Sequence, residues 1–195
     1  MEEFKQYLKD VIQPVYSAFL AECQGDRLPI AINTDKFISV LSNHTGIPIT
    51  PLILLPSAMP DLLGMYVMFS DDDGNKSVEV YINGENNRCW KRFIAIKEVS
   101  HLILDQETTV DFTALAASLI DAEFHRNDEH VDLFIRDVSG VLAAIEIMMP
   151  EHLKAWAANQ VNILGKGSKE LSSMLIMPQR YVDHRLSEWG IIPAE

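Results

Sequence analysis

Apolar residues return every three or four positions between residues 3 and 23, where Phe4, Leu8, Val11, Ile12, Val15, Phe19 and Leu20 share one helical face in spite of Pro14. The pattern predicts a second helix over 34–44, begun by an Asn33/Thr34 cap and stopped at Gly46. Residues 47–60 hold four prolines among clustered Leu and Ile, and read as an extended segment that proline keeps off central strand positions. The period then shortens to two. Gly64 to Ser70 and residues 77–83 are rich in β-branched and aromatic side chains, and Asp71-Asp72-Asp73-Gly74-Asn75 between them is turn chemistry, so a hairpin is predicted. Helical spacing resumes over 87–104, with Phe93, Ile96, Val99, Ser100 and Ile103 on one stripe, and again over 113–124. From Asp105 to Asp137 nine acidic residues stand against only Arg126 and Arg136, the pattern of a solvated insertion. Residues 138–149 are nearly all apolar, include the small Ser139, Gly140, Ala143 and Ala144, and end at Pro150, as expected of a core helix. Another helix is predicted over 151–163. After the linker 165–168, two short helices separated at Met177-Pro178 are expected within 168–189.

With 195 residues, 48% of them hydrophobic and 23% charged, the chain has the composition of a soluble globular domain, alone or with a small appendage. A net charge of −12 removes the Lys/Arg surplus that would hold phosphates, so no direct nucleic-acid partner is expected. The longest apolar runs fall short of a membrane span, and Met1-Glu2-Glu3-Phe4-Lys5 lacks the basic, then apolar, start of a signal peptide. Cys23 and Cys89 lie far apart and read as free thiols. These features predict a cytoplasmic protein with no membrane partner.

The stretch that carries chemistry is Arg92-Phe93-Ile94-Ala95-Ile96-Lys97-Glu98-Val99-Ser100-His101. A zinc protease helix sets two histidines four apart so that both imidazoles face one metal, with a glutamate after the first as general base. Glu98 and His101 stand where that glutamate and the second histidine would, and Lys97 replaces the first. Around this motif, Gly64-x-Tyr66 opens a strand, Ile82-Asn83 ends its partner, and Ala143-Ala144-Ile145-Glu146-Ile147-Met148-Met149-Pro150 follows later. Leu171 to Ile192, with Arg185-Leu186 and Trp189-Gly190, completes the pattern. In spacing and order, residues 60–192 resemble the ImmA/IrrE family of metallopeptidases.

That resemblance implies an α+β, zincin-like fold, with a small antiparallel sheet packed on the motif helix and helical N- and C-terminal parts. It divides the chain into a helical segment 1–60, a metallopeptidase-like core 61–164 and a helical tail 165–195. It further implies Glu98 as the catalytic base and His101 as a metal ligand, with Asp137, the only carboxylate near the third-ligand position, as another. Tyr66 is expected in a substrate cleft. Glu146 falls where the family often has a glutamate that is not a ligand.

The departure at Lys97 decides between two functions. For Lys97 to bind zinc it must lose its proton, and bringing a pKa of about 10.4 to 7 costs roughly 4–5 kcal/mol. The other physical reading lets the Lys97 ammonium stand in for the ion between His101, Glu98 and Asp137, leaving a degenerate site with no metal. A regulatory module that binds another protein, such as a transcriptional repressor, is then expected. The alternative is an active zinc endopeptidase that cleaves such a partner.

Other candidates read as structural. His125 and His130 are five apart and do not align on a helix; His44, His152 and His184 lack partners at ligand spacing. The Asp71–Asp73 triplet lacks the closing acid of a calcium loop, and Gly165-Lys166-Gly167-Ser168 lacks the full phosphate-loop pattern. Cys89 is expected to pack, as are Tyr66 and Trp90, although in a cleft either aromatic could contact a peptide substrate.

Overall fold

In the computed structural model, residues 2–23, 30–54, 63–105 and 128–187 are described. The helix expected over 113–124, His125, and most of the acidic run after Asp105 lie outside them, as do residues 55–60 and 188–195.

Helix α1 (Glu2–Glu22) buries Leu8, Val11, Ile12, Val15 and Phe19, the stripe its spacing predicts, while Pro14 sits on the exposed side. Helix α2 (Thr34–Thr45) starts where the Asn33 side chain accepts a hydrogen bond from the Lys36 backbone N–H at 3.1 Å. It stops at Gly46, whose φ of 69° is the left-handed turn that favours glycine. Phe37 of α2 meets Phe19 of α1 edge to face at 5.8 Å.

Three strands follow: β1 (Ile49–Leu54), β2 (Gly64–Ser70) and β3 (Lys76–Asn83), in the order β1-β3-β2. The hairpin forms as predicted, with Gly64 opposite Ile82 and Ser70 opposite Lys76. The Asp71 carboxylate closes its turn by accepting from the backbone N–H groups of Asp73 and Asn75 at 3.0 and 2.8 Å. The sheet is mixed rather than antiparallel throughout, because β1 runs parallel to β3 from Ile49↔Val78 to Leu54↔Asn83. Pro51 explains β1's place at the edge, since a residue without an N–H weakens an interior ladder.

Val78, Val80 and Ile82 alternate inward from β3 and cover α3 (Arg88–Asp105). This helix is more enclosed than its stripe predicts. Ile94, Ala95, Glu98, His101, Leu102 and Leu104 are buried along with the expected residues, because α1, α2, the sheet and α4 all contact it. Helix α4 (Asp128–Met148) begins ten residues before the expected Val138, so the end of the acidic run is helical. Its Ser139, Gly140, Ala143 and Ala144 are buried and let it approach α3.

Helix α5 (Glu151–Leu164) ends at Gly165, and α6 (Ser168–Leu175) and α7 (Gln179–Ser187) are separated at Ile176-Met177-Pro178. Arg185 of α7 is buried. It donates to the Met149 carbonyl at 3.1 Å and pairs with Glu146 at 2.6 Å and Glu151 at 3.2 Å, fastening α7 to the α4–α5 junction. Burial raises the Glu146 carboxyl above its usual pKa, and the opposing pull of Arg185 does not cancel that. Residues from α1 (Leu8) to α7 (Leu186) share one hydrophobic core, which crosses the limits of the segments 1–60, 61–164 and 165–195.

Candidate functional site

Lys97 and His101 are one turn apart on α3, and Glu98 follows Lys97 into the interior. Asp137 and Gly140 occupy the facing side of α4. Lys97 Nζ lies 2.9 Å from Glu98 Oε1 and 2.5 Å from Asp137 Oδ1. The Glu98 side chain keeps 5% of its exposure, Lys97 16% and Asp137 61%, so the cluster runs from the core to the surface. Burial alone pulls the Lys97 pKa down. The charge of Glu98 and the hydrogen bonds to Asp137 and Glu98 outweigh it and hold the ammonium above the usual lysine value.

His101 is buried against Gly140: a Cβ built on that glycine would stand 2.8 Å from both His101 Cε1 and Nε2, and 3.4 Å from Lys97 Cγ. Gly140 is therefore what lets the imidazole and the lysine stem lie against α4. Tyr66 stacks its ring on His101, with centroids 5.5 Å apart and planes at 14°. Gly64, two residues earlier on the same face of β2, allows equally close approach to α3. A Cβ there would fall 2.2 Å from Ile94 Cγ2 and 3.6 Å from Glu98 Cγ.

A cleft of about 250 Å³ opens beside the cluster, between Leu63 and Gly64 at the start of β2, Lys97 and Glu98 on α3, Asp137 on α4, and Arg180 on α7. The Arg92-Phe93 pair before the motif assembles its far wall. The Arg92 guanidinium donates to Thr34 Oγ1 at 3.1 Å, to the Ile176 carbonyl at 3.1 Å and to the Ile32 carbonyl, tying α2 and the α6–α7 turn to α3. Phe93 stacks on Tyr181 of α7 with centroids 4.0 Å apart. Arg180 and Tyr181 are among the cleft residues that sequence reasoning missed; Trp90, read there as a packing residue that could contact a peptide in a cleft, lines it.

Of the other described histidines, His44, His152 and His184 are exposed and away from this site, and Cys23 and Cys89 are free thiols. Glu146 belongs to the Arg185 network. Among the described residues, no group of three or more His, Cys, Asp and Glu side chains is placed to hold a metal ion. The expected base Glu98 and the expected ligand Asp137 are both engaged by the Lys97 ammonium. As arranged, this set does not fit the three-donor, open-position centre of a catalytic zinc. Nor is any described helix long and apolar enough to cross a membrane.

The protein is thus an α+β protein in which a mixed three-stranded sheet flanks a buried helix bearing Lys97-Glu98-x-x-His101. No protein-family profile matches its sequence, and no curated protein does. Among solved structures it is similar to a Mycobacterium tuberculosis transcriptional regulator, with a TM-score of 0.53 and 10% identity over 96% of this chain and 47% of that one. At that identity the likeness is one of fold, and the chain spans about half the length of that structure.

Proposed function

We propose that this is an ImmA/IrrE-like, zincin-like metallopeptidase-fold protein in which the Lys97 ammonium stands where a metal ion would, and that it acts as a regulatory module binding another protein. The observation that carries the reading is the Lys97 Nζ, held at 2.9 Å from Glu98 and 2.5 Å from Asp137. A cation in that place keeps the two helices and their carboxylates together. It supplies neither a Lewis acid nor an activated water, so Glu98 has no nucleophile to deprotonate. The partner segment lies extended in the cleft beside β2, an edge strand whose backbone can take up another strand. A transcriptional repressor is the partner that suits this reading.

Elemental analysis of purified wild type, Lys97→His and His101→Ala tests it. The expected result is no stoichiometric zinc in the wild type and near-stoichiometric zinc in Lys97→His. Stoichiometric zinc in the wild type that disappears in His101→Ala, with peptidase activity lost in Glu98→Gln, would replace this reading with an active endopeptidase using His101 and Asp137 as ligands. Absence of zinc from Lys97→His would refute the metal-cage ancestry of the site.

A further inference from the structure

Opposite the Lys97 cluster, the cleft is walled by a second cation of different character. Arg180 is exposed, and its guanidinium carbon lies 4.4 Å from the centroid of Trp90 and 4.5 Å from that of Tyr181. The two rings meet at 69° with centroids 5.8 Å apart, forming a corner that holds the planar group. Tyr181 is itself fixed by its stack on buried Phe93, and one Arg180 N–H group is donated to the Tyr181 hydroxyl. Most long surface side chains lose conformational freedom when they bind a ligand; here much of that loss has already been taken.

The charges of the cleft are unevenly shared. Lys97 is matched by two carboxylates, Glu98 and Asp137, so that end has an anionic surplus. Arg180 forms no salt bridge with any described residue, and it is the other cation lining the cleft. A guanidinium carries five N–H donors in a fork that matches a carboxylate, and stacking on rings leaves its edge available for such a pair. The whole chain, at −12, repels acidic partners at long range, so any preference for a carboxylate must come from a local contact of this kind.

We propose that Arg180, preset against Trp90 and Tyr181, is the specificity-determining residue of the cleft and pairs with an acidic residue of a bound peptide segment. This inference rests on the reading of the cleft as a peptide-binding site. It assigns the partner a chemistry: an extended segment bearing Asp, Glu or a terminal carboxylate opposite Arg180.

The test is selection from a random-peptide display library, in formats with internal and with free C-terminal peptides, on wild type, Arg180→Lys and Arg180→Glu. Arg180 is exposed, so the variants are expected to fold, and thermal unfolding checks this. Wild type should enrich a carboxylate at one fixed position. Arg180→Glu should exchange it for Lys or Arg and weaken binding of a wild-type-selected peptide about ten- to a hundredfold, the worth of one charge-assisted pair. Arg180→Lys, which keeps the charge and loses the planar fork, should fall between. Enrichment at an internal position identifies a side chain; enrichment only at free ends identifies a terminal carboxylate. Peptides enriched equally by wild type and Arg180→Glu would overturn the role of Arg180 while leaving a peptide-binding cleft. No enrichment on wild type would overturn both.

Discussion

Replacing Lys97 with methionine keeps the length of the side chain and removes the charge between Glu98 and Asp137. The two contacts differ in what they are worth. Asp137 is 61% exposed, so water replaces the ammonium there and the loss is about 0–1 kcal/mol. Glu98 is 5% exposed and would keep a charge without its counter-ion. Breaking a fully buried pair from one side costs about 3–5 kcal/mol, and Lys97's 16% exposure reduces that because water reaches the ammonium. The expected total is about 2–4 kcal/mol at neutral pH. Urea unfolding of wild type, Lys97→Met, Glu98→Gln and the double variant closes the cycle. Adding Glu98→Gln to Lys97→Met should recover most of the loss, with a coupling of at least about 1 kcal/mol. A loss below about 0.5 kcal/mol, or strictly additive single changes, would show that the ammonium does not hold this cluster.

Three further outcomes follow from the same geometry. Because the folded state raises the Lys97 pKa, its contribution is present in full below the ordinary lysine value and is lost as pH climbs through the raised one; the gap in melting temperature between wild type and Lys97→Met should therefore narrow above about pH 10. Gly140→Ala gains about 1 kcal/mol of helix propensity but forces the buried His101 ring aside, so a net loss of about 1 kcal/mol is expected by denaturant titration; a net gain would mean that the ring swings away at no cost. Gly64→Ala places a methyl 2.2 Å from Ile94 Cγ2 and 3.0 Å from the Tyr81 carbonyl oxygen, which lifts β2 from α3. A loss of about 3 kcal/mol is expected, and wild-type stability in thermal unfolding would contradict the close packing seen here.

What sequence reasoning reads well here is local. The spacing of Leu8 to Phe19, the Asn33 and Gly46 caps and the Asp71 turn each depend on residues within a few positions, and their elements form where the pattern places them. Strand direction is different: alternation has the same period in a parallel and an antiparallel strand, so β1 beside β3 could not be oriented from its composition. The start of α4 was hidden because an acidic run that reads as solvated can also be helical when its helix is anchored further along, here by Ala143, Ala144 and Ile147. The site divides in the same way. Lys97 beside Glu98 is a matter of adjacency, and Asp137 was reached by counting back from Pro150. Tyr66 shares the face of β2 that meets α3, but only packing decides that its ring covers His101. Arg180 in the corner of Trp90 and Tyr181 joins segments remote in sequence, and no period or spacing announces it.

Within the proposed reading, the change from an ion to an ammonium alters more than activity. A metal ion binds from solution, can be chelated, and keeps an open position where water or substrate enters. The Lys97 ammonium is covalently tethered, brings its own donors, and directs them at two carboxylates, Glu98 and Asp137. The carboxylates of α3 and α4 then share one tethered cation whether or not metal is present, and Gly140 leaves room for His101 and the lysine stem beside it. The position that would polarise a peptide carbonyl becomes an anion-rich end of the cleft, while the guanidinium at the other end stays available. Under that proposal the cleft discriminates among peptides by charge and shape and leaves them intact, and the segment that fits between β2 and the Arg180 corner carries the function.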